Sequence, residues 1–113
     1  MSRSWALFLR DMLESARKIT RFTTGCRLET FVTNEMMYDA VLYNLQVLGE
    51  AAKKIPDPVR ERYPDIDWRG VAGLRDVLSH AYFAVDNLAL WKIVNADVPR
   101  LVIQLERIEQ DLP

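Results

Sequence analysis

The chain holds one cysteine, one histidine and four glycines among its 113 residues, and each shortage removes a class of function. A lone Cys26 can form neither an intrachain disulfide nor a cysteine metal cluster, which fits a reducing cytosol. One histidine leaves no His pair at ligand spacing, so no metal is expected. Gly25, Gly49, Gly70 and Gly73 never form a Gly-rich cradle ahead of a helix, which removes a phosphate loop. Nothing in the sequence calls for a cofactor. No stretch approaches the roughly 20 apolar residues of a membrane helix, and the opening MSRSWALFLRDML turns acidic too early for a signal peptide. The expectation is a soluble cytoplasmic protein that does not enter a membrane.

A dominant charge is also missing. Lys and Arg number 15 against 16 Asp and Glu, for a net charge of -1, which excludes a uniformly basic nucleic-acid coat. The charge is uneven all the same. Residues 1–27 hold Arg3, Arg10, Arg17, Lys18, Arg21 and Arg27 against Asp11 and Glu14, while the acids Asp97, Glu106, Glu109 and Asp111 dominate the tail. A polyanion is therefore expected at the N-terminal helix, unless these are only the charged outer faces of amphipathic helices.

What is present is helical periodicity. Half of the residues are apolar, enough at this length for one hydrophobic core, so residues 1–113 are read as a single domain. Trp5, Phe8, Leu9, Met12, Ala16, Ile19 and Phe22 recur every three or four positions, with Ser4 as N-cap and Thr24-Gly25 as stop. A second helix is expected from Leu28 or Phe31 to Ile55, with Thr33 or Asn34 able to cap an inner start. Pro56, Pro58 and Pro64 then leave room for one short turn around Val59 to Tyr63. Asp67 caps a third helix running from Trp68 towards Ser79 or Tyr82. Asp86 caps a fourth, and Pro99 kinks it or restarts it with Asp97 as cap. With no alternating strand pattern, the expected class is all-α, an antiparallel bundle of four or five helices.

The chemistry concentrates in Gly73 to Phe83, GLRDVLSHAYF. Ser79 and His80 are neighbours and point about 100° apart on a helix, so they cannot act as nucleophile and base with Asp76 as a third member. Asp76 and His80, at i and i+4, share a helix face, and the carboxylate can fix which imidazole nitrogen is free. Arg75 and His80 suit RNA cleavage without a metal: the imidazole removes the ribose 2'-OH proton and the guanidinium stabilises charge on the phosphoryl oxygens. They converge only if the helix ends near His80, the Arg bends round, or a second protomer completes the site. One imidazole supplies one proton relay, and a twofold dimer would supply two. The plain alternatives are an Arg75 bridged to Asp76 or Asp67, a His80 that caps the last turn, and a Tyr82-Phe83-Trp91 aromatic corner. Trp68 is read as a core residue in preference to one that stacks on a base, Met36 and Met37 as core or dimer contacts, and Glu50 as solvent-facing in preference to facing the motif across the bundle.

With its flanks, IDWRGVAGLRDVLSHAYFAVD resembles the signature segment of HepT-like HEPN proteins, toxins of HepT/MNT toxin-antitoxin pairs. NLQVLGEAAKKIP and LWKIVNADVPRL resemble the same family, so the likeness spans nearly the whole domain. It implies a HEPN bundle that dimerises with the motifs at the subunit interface. It further implies a metal-independent endoribonuclease acting on tRNA or mRNA, in a type VII-like system, with Arg75 and His80 as catalytic residues and Asp76 as the polar residue of the motif. An MNT-type nucleotidyltransferase antitoxin would silence it by transferring AMP to Tyr82. Asp76 stands where asparagine is frequent; its charge would raise the pKa of His80 and repel phosphate. Two competing functions are a non-catalytic substrate-binding or partner-binding subunit of a split nucleotidyltransferase, and a structural protein whose motif buttresses a dimer.

Overall fold

The computed structural model describes residues 4–74, 76–78 and 86–112, and among them there is no strand. Helix α1 (Trp5–Thr23) starts where the Ser4 hydroxyl accepts the Ala6 N–H, and it buries Leu9, Met12, Leu13, Ala16 and Ile19 along one face. Its stop is Gly25, whose φ of 76° suits a residue without a Cβ.

The expected second helix is two helices. α2 (Leu28–Thr33) and α3 (Glu35–Ala52) meet at Asn34, whose backbone is extended and whose side chain accepts the Met37 N–H at 3.0 Å. Asn34, not Thr33, is the cap. The Thr33 hydroxyl instead donates back to the Glu29 carbonyl at 2.7 Å, a local bond that competes with regular helix. The apolar period continues across the break, which is why the sequence reads as one element.

The Pro-rich connection holds a further helix, α4 (Asp57–Arg62), in place of the expected short turn. Pro56 is its N-cap and Pro58 lies in its first turn, where a missing N–H costs nothing. Arg60 donates to the carbonyls of Ala52 (2.8 Å), the last residue of α3, and Ile55 (2.9 Å), in the turn that follows it. α5 (Trp68–Ala72) follows, with Asp67 accepting the Gly70 N–H as expected. Trp68 is buried, and its indole N–H donates to the Tyr63 carbonyl at 3.0 Å, so it is a core residue.

Asp86 caps α6 (Asn87–Lys92) through the Ala89 N–H. Pro99 neither stops nor sharply restarts this run. The chain passes through a π-helical turn, Ile93–Asp97, straight into α7 (Val98–Gln110), and Asp97 is helical with no capping bond from its side chain. A proline ring crowds the carbonyl four residues before it and removes that hydrogen bond; a wider turn accommodates both effects.

α1 packs on α3 and on α7, forming the antiparallel centre of the bundle. Leu9, Met12, Ile19, Val41, Leu45, Leu48, Leu90 and Leu105 are completely or almost completely buried there. Phe31 closes one end, with its ring 5.2 Å from that of Tyr38 and 5.3 Å from that of Trp91. Met37 packs against the core, whereas Met36 is 83 % exposed and is no part of it.

Candidate functional site

The segment singled out by the sequence is reached through α5. Gly73 ends that helix, its N–H donating to the Arg69 carbonyl at 3.0 Å, so the expected single helix from Trp68 is interrupted one residue before Leu74. Leu74 and residues 76–78 are helical again, and the Asp76 N–H donates to the Gly73 carbonyl. Leu74 and Leu78 are buried, four residues apart, and hold this turn on the core. Asp76 is exposed on the other side. Arg75, His80 and Tyr82 lie outside the described residues, as do Ser79 and Phe83, so the expected meeting of Asp76 with His80 and the aromatic corner on Trp91 fall there too.

A groove of about 340 Å³ runs beside the segment, between α3, α5 and α7. Leu48, Val71, Leu74, Val77, Val98 and Leu101 line it, with Asp65, Asp67, Asp97, Arg100 and Gln104 among its polar residues. Among the described residues that line it, three acids stand beside one base. Asp76 is not among the described residues that line this groove.

Elsewhere the charges expected to meet a polyanion are partly engaged. Arg17 reaches Glu106 at 3.4 Å and Lys18 reaches Glu14 at 3.4 Å, while Arg10, Arg21 and Arg27 are exposed. The Arg21 guanidinium lies 5.4 Å from the Phe22 ring centre. Glu50 is solvent-facing and 3.6 Å from Lys53. Among the described residues no group of three His, Cys, Asp or Glu side chains is placed to hold a metal ion, and no helix is long and apolar enough to cross a membrane.

Two residues that hold the approach to the segment escaped the sequence reading. Gln104 of α7 donates to the Asp65 carbonyl at 2.9 Å, tying the loop before α5 to the bundle. Gly49 of α3 lies directly against the end of α5. The only available signal for Gly49 was a glycine in a helix interior, where alanine is the better helix former.

Comparison with known proteins points the same way as the motif. The family described as Ribonuclease HepT-like matches residues 12–108. The chain is 38% identical over 110 residues to the "Probable ribonuclease HepT" of Thermococcus cleftensis, covering 97% of this chain and 100% of that protein. It is similar to candidate RNases of Methanocaldococcus jannaschii, at 40% identity over 99 residues (88% of this chain, 91% of the relative) and 41% over 105 residues (93% and 87%). No solved structure matches it significantly.

Proposed function

The chain belongs to the HepT-like ribonuclease family, and from that membership we propose that it is the ribonuclease toxin of a HepT/MNT toxin-antitoxin pair. The observation that carries the reading is the family match across residues 12–108, which includes Arg75, Asp76, His80 and Tyr82 in the order of the family motif. The names of the relatives support RNA as the substrate.

In this reading His80 removes the proton of a ribose 2'-OH, and the resulting oxyanion attacks the adjacent phosphorus. The bond to the 5'-oxygen breaks, leaving a 2',3'-cyclic phosphate on one fragment and a 5'-hydroxyl on the other. The Arg75 guanidinium stabilises negative charge on the phosphoryl oxygens as they become more basic. No metal is needed. Asp76 orients the imidazole, and the exposure of Asp76 supports a motif face open to a large substrate. Protonation of the departing 5'-oxygen calls for a second acid, and a homodimer supplies it as His80 of the second copy. In the cytoplasm, control falls to an MNT-type nucleotidyltransferase that transfers AMP from ATP to the Tyr82 hydroxyl, the phenol oxygen displacing pyrophosphate and losing its proton, which places a bulky anion beside the motif where it competes with RNA.

The test is cleavage of end-labelled tRNA and mRNA by partner-free protein in EDTA. Cleavage is expected in wild type, with cyclic phosphate or 3'-phosphate ends, and a fall of at least about 100-fold in Arg75→Ala and His80→Ala. A folded, unmodified dimer that cuts no RNA would sink the ribonuclease assignment and favour a binding subunit. Intact mass after co-expression with the nucleotidyltransferase tests the control step: increments of about 329 Da in wild type and none in Tyr82→Phe are expected.

A further inference from the structure

Gly49 sits in the last turn of α3 with no conformational need to be glycine, because Gly25 alone among the described glycines has a positive φ. Its reason is a contact. A Cβ placed there would lie 3.2 Å from the Val71 carbonyl oxygen, 3.5 Å from the Leu74 Cβ and 3.8 Å from the Ala72 carbonyl oxygen. Val71 and Ala72 are the last two residues of α5, and the Gly73 N–H donates to the carbonyls of Arg69 and Val71. The bare backbone of α3 at Gly49 is thus the seat on which the end of α5 rests.

That seat is mechanically upstream of the motif. From Val71 the chain passes through Gly73 to the buried Leu74 and then to Asp76, whose N–H is bonded to the Gly73 carbonyl at 3.0 Å. We propose that Gly49 is a positioning residue for the ribonuclease site: by having no side chain, it sets how deeply α5 and the first turn of the motif helix sit on α3. This inference rests on the ribonuclease reading above. A methyl group at Gly49 makes the Val71 carbonyl give way by a few tenths of an ångström and brings the Leu74 Cβ into ordinary van der Waals contact. Close-packed neighbours do not absorb such a shift, so it passes to the turn from Gly73 to Asp76. Displacements of about 1 Å cost on the order of 100-fold in rate, and the smaller shift here is worth about tenfold. Affinity for RNA, set mainly by phosphate contacts spread over the surface, stays the same.

The experiment compares Gly49→Ala with wild type in RNA-cleavage kinetics, thermal melting and amide chemical shifts. The expected result is a folded protein with KM unchanged, kcat reduced about tenfold, and shifted amides at Leu74, Asp76 and Val77. Ala72→Gly, which loosens the same seat without adding volume, is expected to lower kcat in the same direction and serves if Gly49→Ala does not fold. An unchanged kcat in a folded Gly49→Ala, a rise in KM alone, or shifts that stop within α5 would each overturn the proposal. If wild type itself cuts no RNA, the ribonuclease reading fails by that result, and the amide shifts alone decide whether Gly49 positions the segment.

Discussion

The three long helices and the short segments between them are held in different ways. α1, α3 and α7 contribute residues such as Leu9, Leu45 and Leu105 that are wholly buried, and their stability comes from shared apolar surface. α2, α4 and α5 have six, six and five residues, too few to stand as helices by themselves. Each buries one large anchor, Phe31, Val59 or Trp68, and point attachments from side chain to backbone fix its ends: Asn34 to Met37, Arg60 to Ala52 and Ile55, Trp68 to Tyr63, Gln104 to Asp65. The motif segment begins in the second kind of structure. Its approach can be shifted by changing one bond or one methyl group while the bundle stays folded, which is how a site is tuned without being unfolded.

The hardest blow to the contrast is a cavity in the bundle. Leu45→Ala should cost about 2–5 kcal/mol, read as a lower urea midpoint with an unchanged slope. A loss below about 1 kcal/mol would mean that the bundle is no more dependent on burial than its connections are. Next comes a staple. Arg60→Ala removes the bonds to the end of α3 and to the turn after it and should cost about 1–3 kcal/mol, much of it local. Hydrogen exchange should speed up at Ile55 and Val59 while the amides of Leu42 and Leu45 keep their protection. Equal acceleration along all of α3 would show that the staple supports the whole bundle, and the two regions would no longer differ in kind.

The sequence carried the long helices because burial leaves a repeating pattern, and it carried the caps at Ser4, Asp67 and Asp86 because capping is local chemistry. The break at Asn34 was harder to see, since Leu28–Thr33 and Glu35–Ala52 keep the same apolar period on both sides of it. α4 was hidden for the opposite reason: Pro56 and Pro58 read as breakers, yet they occupy the start of a helix, where proline is tolerated. Pro99 likewise signals a disturbance but not its form, a π-helical turn. For the site, the order of Arg75, Asp76, His80 and Tyr82 was legible as a motif. The seat at Gly49 was not, because it depends on a contact between residues 49 and 71, and periodicity says only which face of a helix is buried.

The smallest effect lies where the two regions touch. Tyr63, in the Pro-rich connection, packs against the core, and its hydroxyl donates to the Asp111 carboxylate, just past the end of α7, at 3.2 Å. Partial burial first, then the hydrogen bond to Asp111 and its charge, hold the phenol above its ordinary pKa of 10.0. A pKa raised by folding means that the bond's contribution is fully present below the unfolded value and is lost as pH rises through the folded one. Tyr63→Phe should therefore cost less than about 1 kcal/mol from neutral pH to about pH 9. Above about pH 10 the gap between wild type and variant should close. At still higher pH it should invert, because a phenolate beside Asp111 is repelled whereas phenylalanine is not. Urea melts of both proteins at about pH 7, 9 and 11 isolate this residue, since every other titrating group is common to the pair. A gap near zero at every pH up to about pH 11 would assign the contribution of Tyr63 to the packing of its ring, which phenylalanine keeps, and not to its bond. The connection would then be held by burial at this point as well, and the contrast between the two regions would narrow to the staples at Asn34, Arg60 and Gln104.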